Sequence, residues 1–114
     1  MALSRGRLTN GIVNVSAGTT VGIVTVANNK KVYIKSIAAH NGISTTSINA
    51  QVYYVPNGGS VSANTRLFNV SIAQSETVFI EPSYPIILTA TGDQISIGCT
   101  FGQLNVLVSG DVEV

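Results

Sequence analysis

Alternation is the feature that most constrains this chain. From Gly11 onward, short runs rich in Val, Ile and Thr put an apolar side chain at every second position, and Asn, Gly, Ser and Pro separate the runs. A period of two marks a strand with one face buried, and no apolar period of 3.6 persists here over ten residues. Fifteen Val and twelve Ile stand against six Leu, three Lys, three Arg and three Glu. That inventory packs well on a pleated surface and deprives a helix of its usual formers. A length of 114 residues suits one core rather than two. The expected fold is therefore all-β: a single antiparallel β-sandwich or jelly-roll-like domain of about eight or nine strands. It spans residues 11–114 and follows an N-terminal arm, residues 1–10, which holds two of the three arginines and lacks clean alternation.

Individual strands follow from the same pattern. The run from Lys31 to His40 is predicted to place Val32, Ile34, Ser36 and Ala38 on one face and Tyr33, Lys35, Ile37 and Ala39 on the other. Asn41-Gly42 then reads as a hairpin turn. Between Thr46 and Val55, Ile48, Ala50, Val52 and Tyr54 oppose Asn49, Gln51, Tyr53 and Val55. Pro56-Asn57-Gly58-Gly59-Ser60 ends that strand and opens the longest loop, to Asn64. Glu81-Pro82-Ser83-Tyr84-Pro85 is a stiff corner, because both prolines fix φ and push the residue before them into an extended conformation. Short connections imply mostly antiparallel neighbours.

Charge narrows the function. Only 10% of the residues are Asp, Glu, Lys or Arg, the net charge is +1 and the mean hydropathy is +0.37, where an ordinary soluble domain carries roughly 25% charged residues. So little repulsion between copies favours association, with the same chain or with a larger body. The expected state is a homo-oligomer, with a trimer as the first expectation. The first residues lack the continuous apolar segment of a secretion signal. No apolar run approaches the roughly 20 residues that a membrane-spanning helix needs. The single cysteine, Cys99, cannot form an internal disulfide and is compatible with a reducing compartment.

Reactive chemistry is thinly supplied. His40 is the only histidine, and no serine lies in a nucleophile-elbow motif. One Cys, one His and five scattered acids do not make a zinc or calcium set, so no metal and no cofactor is expected. Cys99 shares a face with Ile95 and Ile97 and reads as a core thiol. Gly58-Gly59 lacks the Lys-Ser or Lys-Thr of a phosphate loop. Arg5, Arg7, Lys30, Lys31 and Lys35 form two small basic groups, too little for a nucleic-acid face. The chain is expected to be neither an enzyme nor a nucleic-acid or membrane binder.

Certain stretches resemble small virion structural proteins of tailed bacteriophages, particularly those of aquatic and cyanobacterial phages. They are V-Y-I-K-S-I at Val32 to Ile37, the His40-Asn41 turn, Y-Y-V-P at Tyr53 to Pro56 before Gly58-Gly59-Ser60, G-D-Q-I at Gly92 to Ile95, and V-S-G at Val108 to Gly110. The resemblance implies an all-β accessory component of the particle, made in the host bacterial cytoplasm. Its leading form is a capsid decoration (cement) protein that contacts the major capsid protein or other virion proteins. The alternative is a tail or fibre component that binds a receptor or glycan. In the first form the arm, with Leu3, Arg5, Arg7 and Leu8, orders on a neighbour. In the second, Tyr53, Tyr54, Asn57, Gly58 and Gly59 make the contact loop.

Overall fold

The computed structural model describes residues 3–9, 11–28, 30–42 and 46–113, with backbone only for residues 3–5. Ten strands form among them: β1 (Leu3–Arg7), β2 (Val13–Ser16), β3 (Thr20–Thr25), β4 (Lys31–His40), β5 (Ile48–Val55), β6 (Arg66–Ile72), β7 (Thr77–Ile80), β8 (Ile86–Leu88), β9 (Gln94–Cys99) and β10 (Gln103–Glu113). The one helical turn described, at Ala63–Thr65, is a 3₁₀ turn capped by Ser62 inside the loop that follows Pro56.

The strands divide into two antiparallel sheets. One runs β1-β10-β4-β7, with β2 also on β10 and β8 also on β4; the other runs β3-β9-β5-β6. β1 and β2 thus share one flank of β10, and β7 and β8 share one flank of β4. The break between β7 and β8 falls at the corner that holds Pro82 and Pro85. Counted by position, each sheet is four strands wide, in the orders 1/2-10-4-7/8 and 3-9-5-6. This is the jelly-roll form of the β-sandwich.

The chain changes sheet at nearly every short connection, and among consecutive strands only β5 and β6 pair as a hairpin, across the long loop. The expected Asn41-Gly42 hairpin is therefore absent: β4 and β5 lie in different sheets. Asn41 instead staples an arch. It is fully buried, its side-chain amide donates to the carbonyls of Thr46 (3.0 Å) and Ile72 (3.2 Å), its backbone N–H donates to the Glu76 carbonyl, and its carbonyl accepts from Ser75 N–H. Buried polar groups need such partners, and these four bonds tie the end of β4 to the opposite layer.

The core lies between the sheets and is aliphatic. Ile34, Ile37, Ile72, Leu88, Ile95, Ile97, Leu104, Val106 and Val108 are fully buried. One assignment of faces is corrected. Ser109 pairs with Ser36 but Gly110 pairs with Ile34, so Lys35 is the extra residue of a bulge in β4. A bulge reverses the alternation beyond it. Val32 and Ile34 therefore share the core with Ile37 and Ala39, while Ser36 and Ala38 turn outward. Across the bulge β10 comes so close that a Cβ on Gly110 would run into the Tyr33 carbonyl oxygen. Only glycine fits there.

Leu3–Arg7, expected to await a neighbour, is laid along β10 as β1, from Leu3 opposite Glu113 to Arg7 opposite Ser109. Leu8 continues it, donating from its N–H to the Val108 carbonyl at 2.8 Å and packing against the core. The first turn beyond β1 is thus held by this chain itself.

Candidate interaction surfaces

Two regions collect the contact residues singled out from the sequence, and a third emerges from the fold. The first is the loop end beside β5. Tyr53 and Tyr54 point to opposite faces of their sheet, and neither is an open ring. Tyr53 is only 8% exposed although it lies on the outer face: small Ser96 stands opposite it in register, and its hydroxyl donates to Gln51 Oε1 at 3.1 Å. Tyr54 points inward and donates to Asp93 Oδ2 at 2.8 Å. Of the expected contact residues, Asn57, Gly58 and Gly59 remain exposed.

Asp93 organises this end. Its buried carboxylate accepts the Tyr54 hydroxyl, the Asn57 backbone N–H (3.1 Å to Oδ1) and the Ala90 N–H (3.3 Å to Oδ2), joining the loops after β5 and β8. The Tyr54 hydrogen bond lowers its pKa below the usual aspartate value, with desolvation opposing and the two backbone N–H bonds assisting. The same bond raises the pKa of Tyr54, helped by burial and by the neighbouring carboxylate charge. Beside it, Gly92 takes φ +89, a left-handed conformation, and a Cβ there would meet the Asn57 side chain at 2.6 Å. The cluster is a clamp between loops. Sequence reading placed Asp93 in a turn, but two of its three partners, Tyr54 and Asn57, lie 39 and 36 residues away along the chain and left no local signal.

The second region is the flank formed by β1. Arg7 is exposed, whereas Leu8 packs inward. The side chains of Leu3 and Arg5 lie outside the described residues. Next to this flank, Lys35 at the bulge reaches Asp111 with Nζ 2.7 Å from Oδ2; the lysine side chain is 49% exposed and the aspartate side chain 4%.

The third region, which the sequence did not reveal, is the outer face of the six-stranded sheet. Register lays its side chains in rows across the strands. One row is polar: Asn14, Asn105, His40 and Thr77. In it His40 Nδ1 lies 2.8 Å from Thr77 Oγ1. The next row is apolar, with Leu107 opposite Ala38 and Ala38 opposite Phe79. Ile12 borders the same trough, an open hollow of about 170 Å³ lined also by Ala38, His40, Thr77, Asn105, Val106 and Leu107. Ile12 is 67% exposed and Phe79 61%. These side chains were hidden from sequence reading because the Lys35 bulge decides which of Ile37 and Ala38 faces out.

Little in these regions is reactive. His40 bonds to a threonine hydroxyl rather than to a carboxylate. Among the described residues no three His, Cys, Asp or Glu side chains gather as they would around a metal ion. Cys99 is buried, its thiol directed at the Val15 carbonyl at 3.5 Å, and desolvation pushes its pKa up, against weaker opposing bonds at Leu104 and Phe101. No described helix is long and apolar enough to cross a membrane.

No family profile and no curated protein matches this chain. Solved structures do. A chain of the T13 viral particle of infectious bursal disease virus, described as a missing link in the evolution of icosahedral viruses, superposes with a TM-score of 0.55 at 7% identity. The match covers 97% of this chain and 30% of that one. A chain of the VP2 subviral particle of the same virus gives a TM-score of 0.41 at 10% identity, covering 97% and 32%. This chain therefore spans about a third of the length of those it matches. At such identity the likeness is one of fold. It lies with an animal virus, and the resemblance to tailed-phage proteins is one of sequence motifs alone.

Proposed function

We propose that this chain is a structural component of a virion and works through protein–protein contact, without catalysis. The observation that carries the reading is the jelly-roll topology, shared over nearly the whole chain with part of a viral-particle chain. Fold alone does not assign function. It is joined here by a chain of which only 10% of the residues are charged and by an apolar row on an outer sheet face, both of which suit a protein that is covered in use.

Within that reading, the sequence motifs favour a decoration protein on the shell of a tailed phage, made in the host cytoplasm and bound to the major capsid protein or a neighbouring virion protein. At the expected contact loop, protein is favoured over glycan, because the hydroxyls of Tyr53 and Tyr54 are both tied down within the domain. Purified particles probed by quantitative mass spectrometry and mapped by electron cryomicroscopy test the proposal. Density for the sandwich repeated over the shell is expected. A few copies confined to the tail would transfer the role to a fibre component, and absence from particles would refute the virion reading altogether.

A further inference from the structure

The outer face of the six-stranded sheet has a pattern that fits itself. We infer that this face binds a second copy of the chain, face to face, about a two-fold axis that lies in the interface parallel to the strands and runs between β10 and β4. Such an axis carries β10 onto β4 of the partner, and the β1/β2 flank onto the β7/β8 flank.

The pairs that this operation creates are complementary. Leu107 comes over Ala38, so the larger side chain of one copy fills the hollow above the smaller one of the other, twice by symmetry. The two exposed apolar side chains at the ends of the row, Ile12 and Phe79, cover one another. Arg7 stands opposite Ser109 in register, on the flank beside β10. Glu81 is exposed two residues beyond Phe79, on the opposite flank. The axis brings Arg7 of each copy to Glu81 of the other. Neither has an ion-pair partner among the described residues. An isologous contact requires this exchange of unlike groups between the two sides of one patch.

The size is sufficient. β10 has 11 residues, and at ~3.3 Å per residue and ~4.8 Å per strand position the face measures roughly 700 Å² on each copy. Two copies bury roughly 1,400 Å², within the range of specific interfaces. Sheets packed this way meet across a layer ~10 Å thick, as they do inside a sandwich. The two-fold predicts a dimer where the sequence led to the expectation of a trimer, and it does not depend on where the protein is used.

Sedimentation velocity and light scattering on the purified chain across a wide concentration range test the inference. The mass is expected to rise from 11.8 kDa toward twice that value. Phe79→Ser is expected to keep the protein monomeric while its circular dichroism stays unchanged and its melting temperature stays close to that of wild type diluted to its monomer, because the side chain is exposed in the single copy. Arg7→Glu and Glu81→Arg, each alone, turn two attractive pairs into repulsive ones and weaken self-association about tenfold. Mixed in equal amounts, the two variants restore both attractions in a heterodimer, which no axis lacking the Arg7–Glu81 contact predicts. A monomer at every concentration, a mass of three chains, or a mixture that pairs no better than its components would overturn the inference. A monomer that nevertheless occupies the shell would leave the virion reading intact, whereas a dimer absent from particles would refute that reading alone.

Discussion

Replacing Asp93 by Asn isolates what one carboxylate contributes to closing the loop end. The side chain holds three donors: the Tyr54 hydroxyl at 2.8 Å, Asn57 N–H at 3.1 Å and Ala90 N–H at 3.3 Å. An amide of the same shape has a single acceptor oxygen. If its nitrogen takes the Oδ1 position it faces Asn57 N–H; if it takes the Oδ2 position it faces Ala90 N–H, since only the Tyr54 hydroxyl can rotate to accept. Either way one backbone N–H loses its acceptor and the remaining bonds lose their charge assistance. The cost is about 2–3 kcal/mol, which for a domain of this size lowers Tm by about 8–12 °C. Thermal unfolding followed by circular dichroism at neutral pH measures it. The pH dependence gives an independent check. Asp93 has a lowered pKa in the folded protein, so its contribution is complete above the ordinary aspartate value of about 3.9 and fades as the pH falls through the folded value. Wild type and variant should therefore converge on acidification. A gap under about 2 °C at neutral pH, on that same scale, or one that widens in acid, would refute the reasoning.

Gly110→Ala forces a methyl group into the Tyr33 carbonyl and is expected to cost at least 3 kcal/mol or so, at the upper end of overpacking penalties; denaturant unfolding checks it. Ile97→Ala removes a fully buried side chain from the centre of the core and should cost about 2–5 kcal/mol, read from the urea midpoint at constant slope. Tyr54→Phe should cost about 1.5–3 kcal/mol for its bond to a charged acceptor. Because the Tyr54 pKa is raised, the wild-type contribution should hold below its ordinary value of about 10 and be lost as the pH climbs through the folded value, so the two proteins converge in alkali. The Cys99 thiol, buried and with its pKa raised, should react with a disulfide reagent only as fast as the protein opens, and denaturant should release the reaction.

Most of the fold was legible because alternation survives in nearly every strand. Ile48, Ala50, Val52 and Tyr54 lie on the core side of β5 as their spacing implied. The pattern failed where the backbone inserts a residue. Nothing local distinguishes Lys35 from any other outward lysine, and the cause of its bulge lies across the sheet, where Gly110 admits the Tyr33 carbonyl. Asn41-Gly42 failed for a related reason: its hairpin chemistry is local, while the burial of Asn41 under Ile72 depends on a strand thirty residues later. The surfaces were less legible than the fold. The expected contact tyrosines were right in their alternation, which also sets Gln51 beside Tyr53, but the Asp93 partner of Tyr54 could not be read from spacing. The apolar row on the outer sheet became visible only once register had aligned three separate strands.

The lateral borders of this sandwich limit how it can be used. Every border strand is either short or interrupted: β1, β2, β7 and β8 have three to five residues, and β3 and β6 change register at Ile23 and Leu67. A foreign strand seeking to extend the hydrogen-bond ladder finds no long straight template. Growth into ribbons by edge addition is thereby discouraged in a sequence rich in Val and Ile, whose β-branched runs are otherwise prone to it. Copies crowded together at high local concentration keep their individual shape, and their mutual recognition is left to side chains.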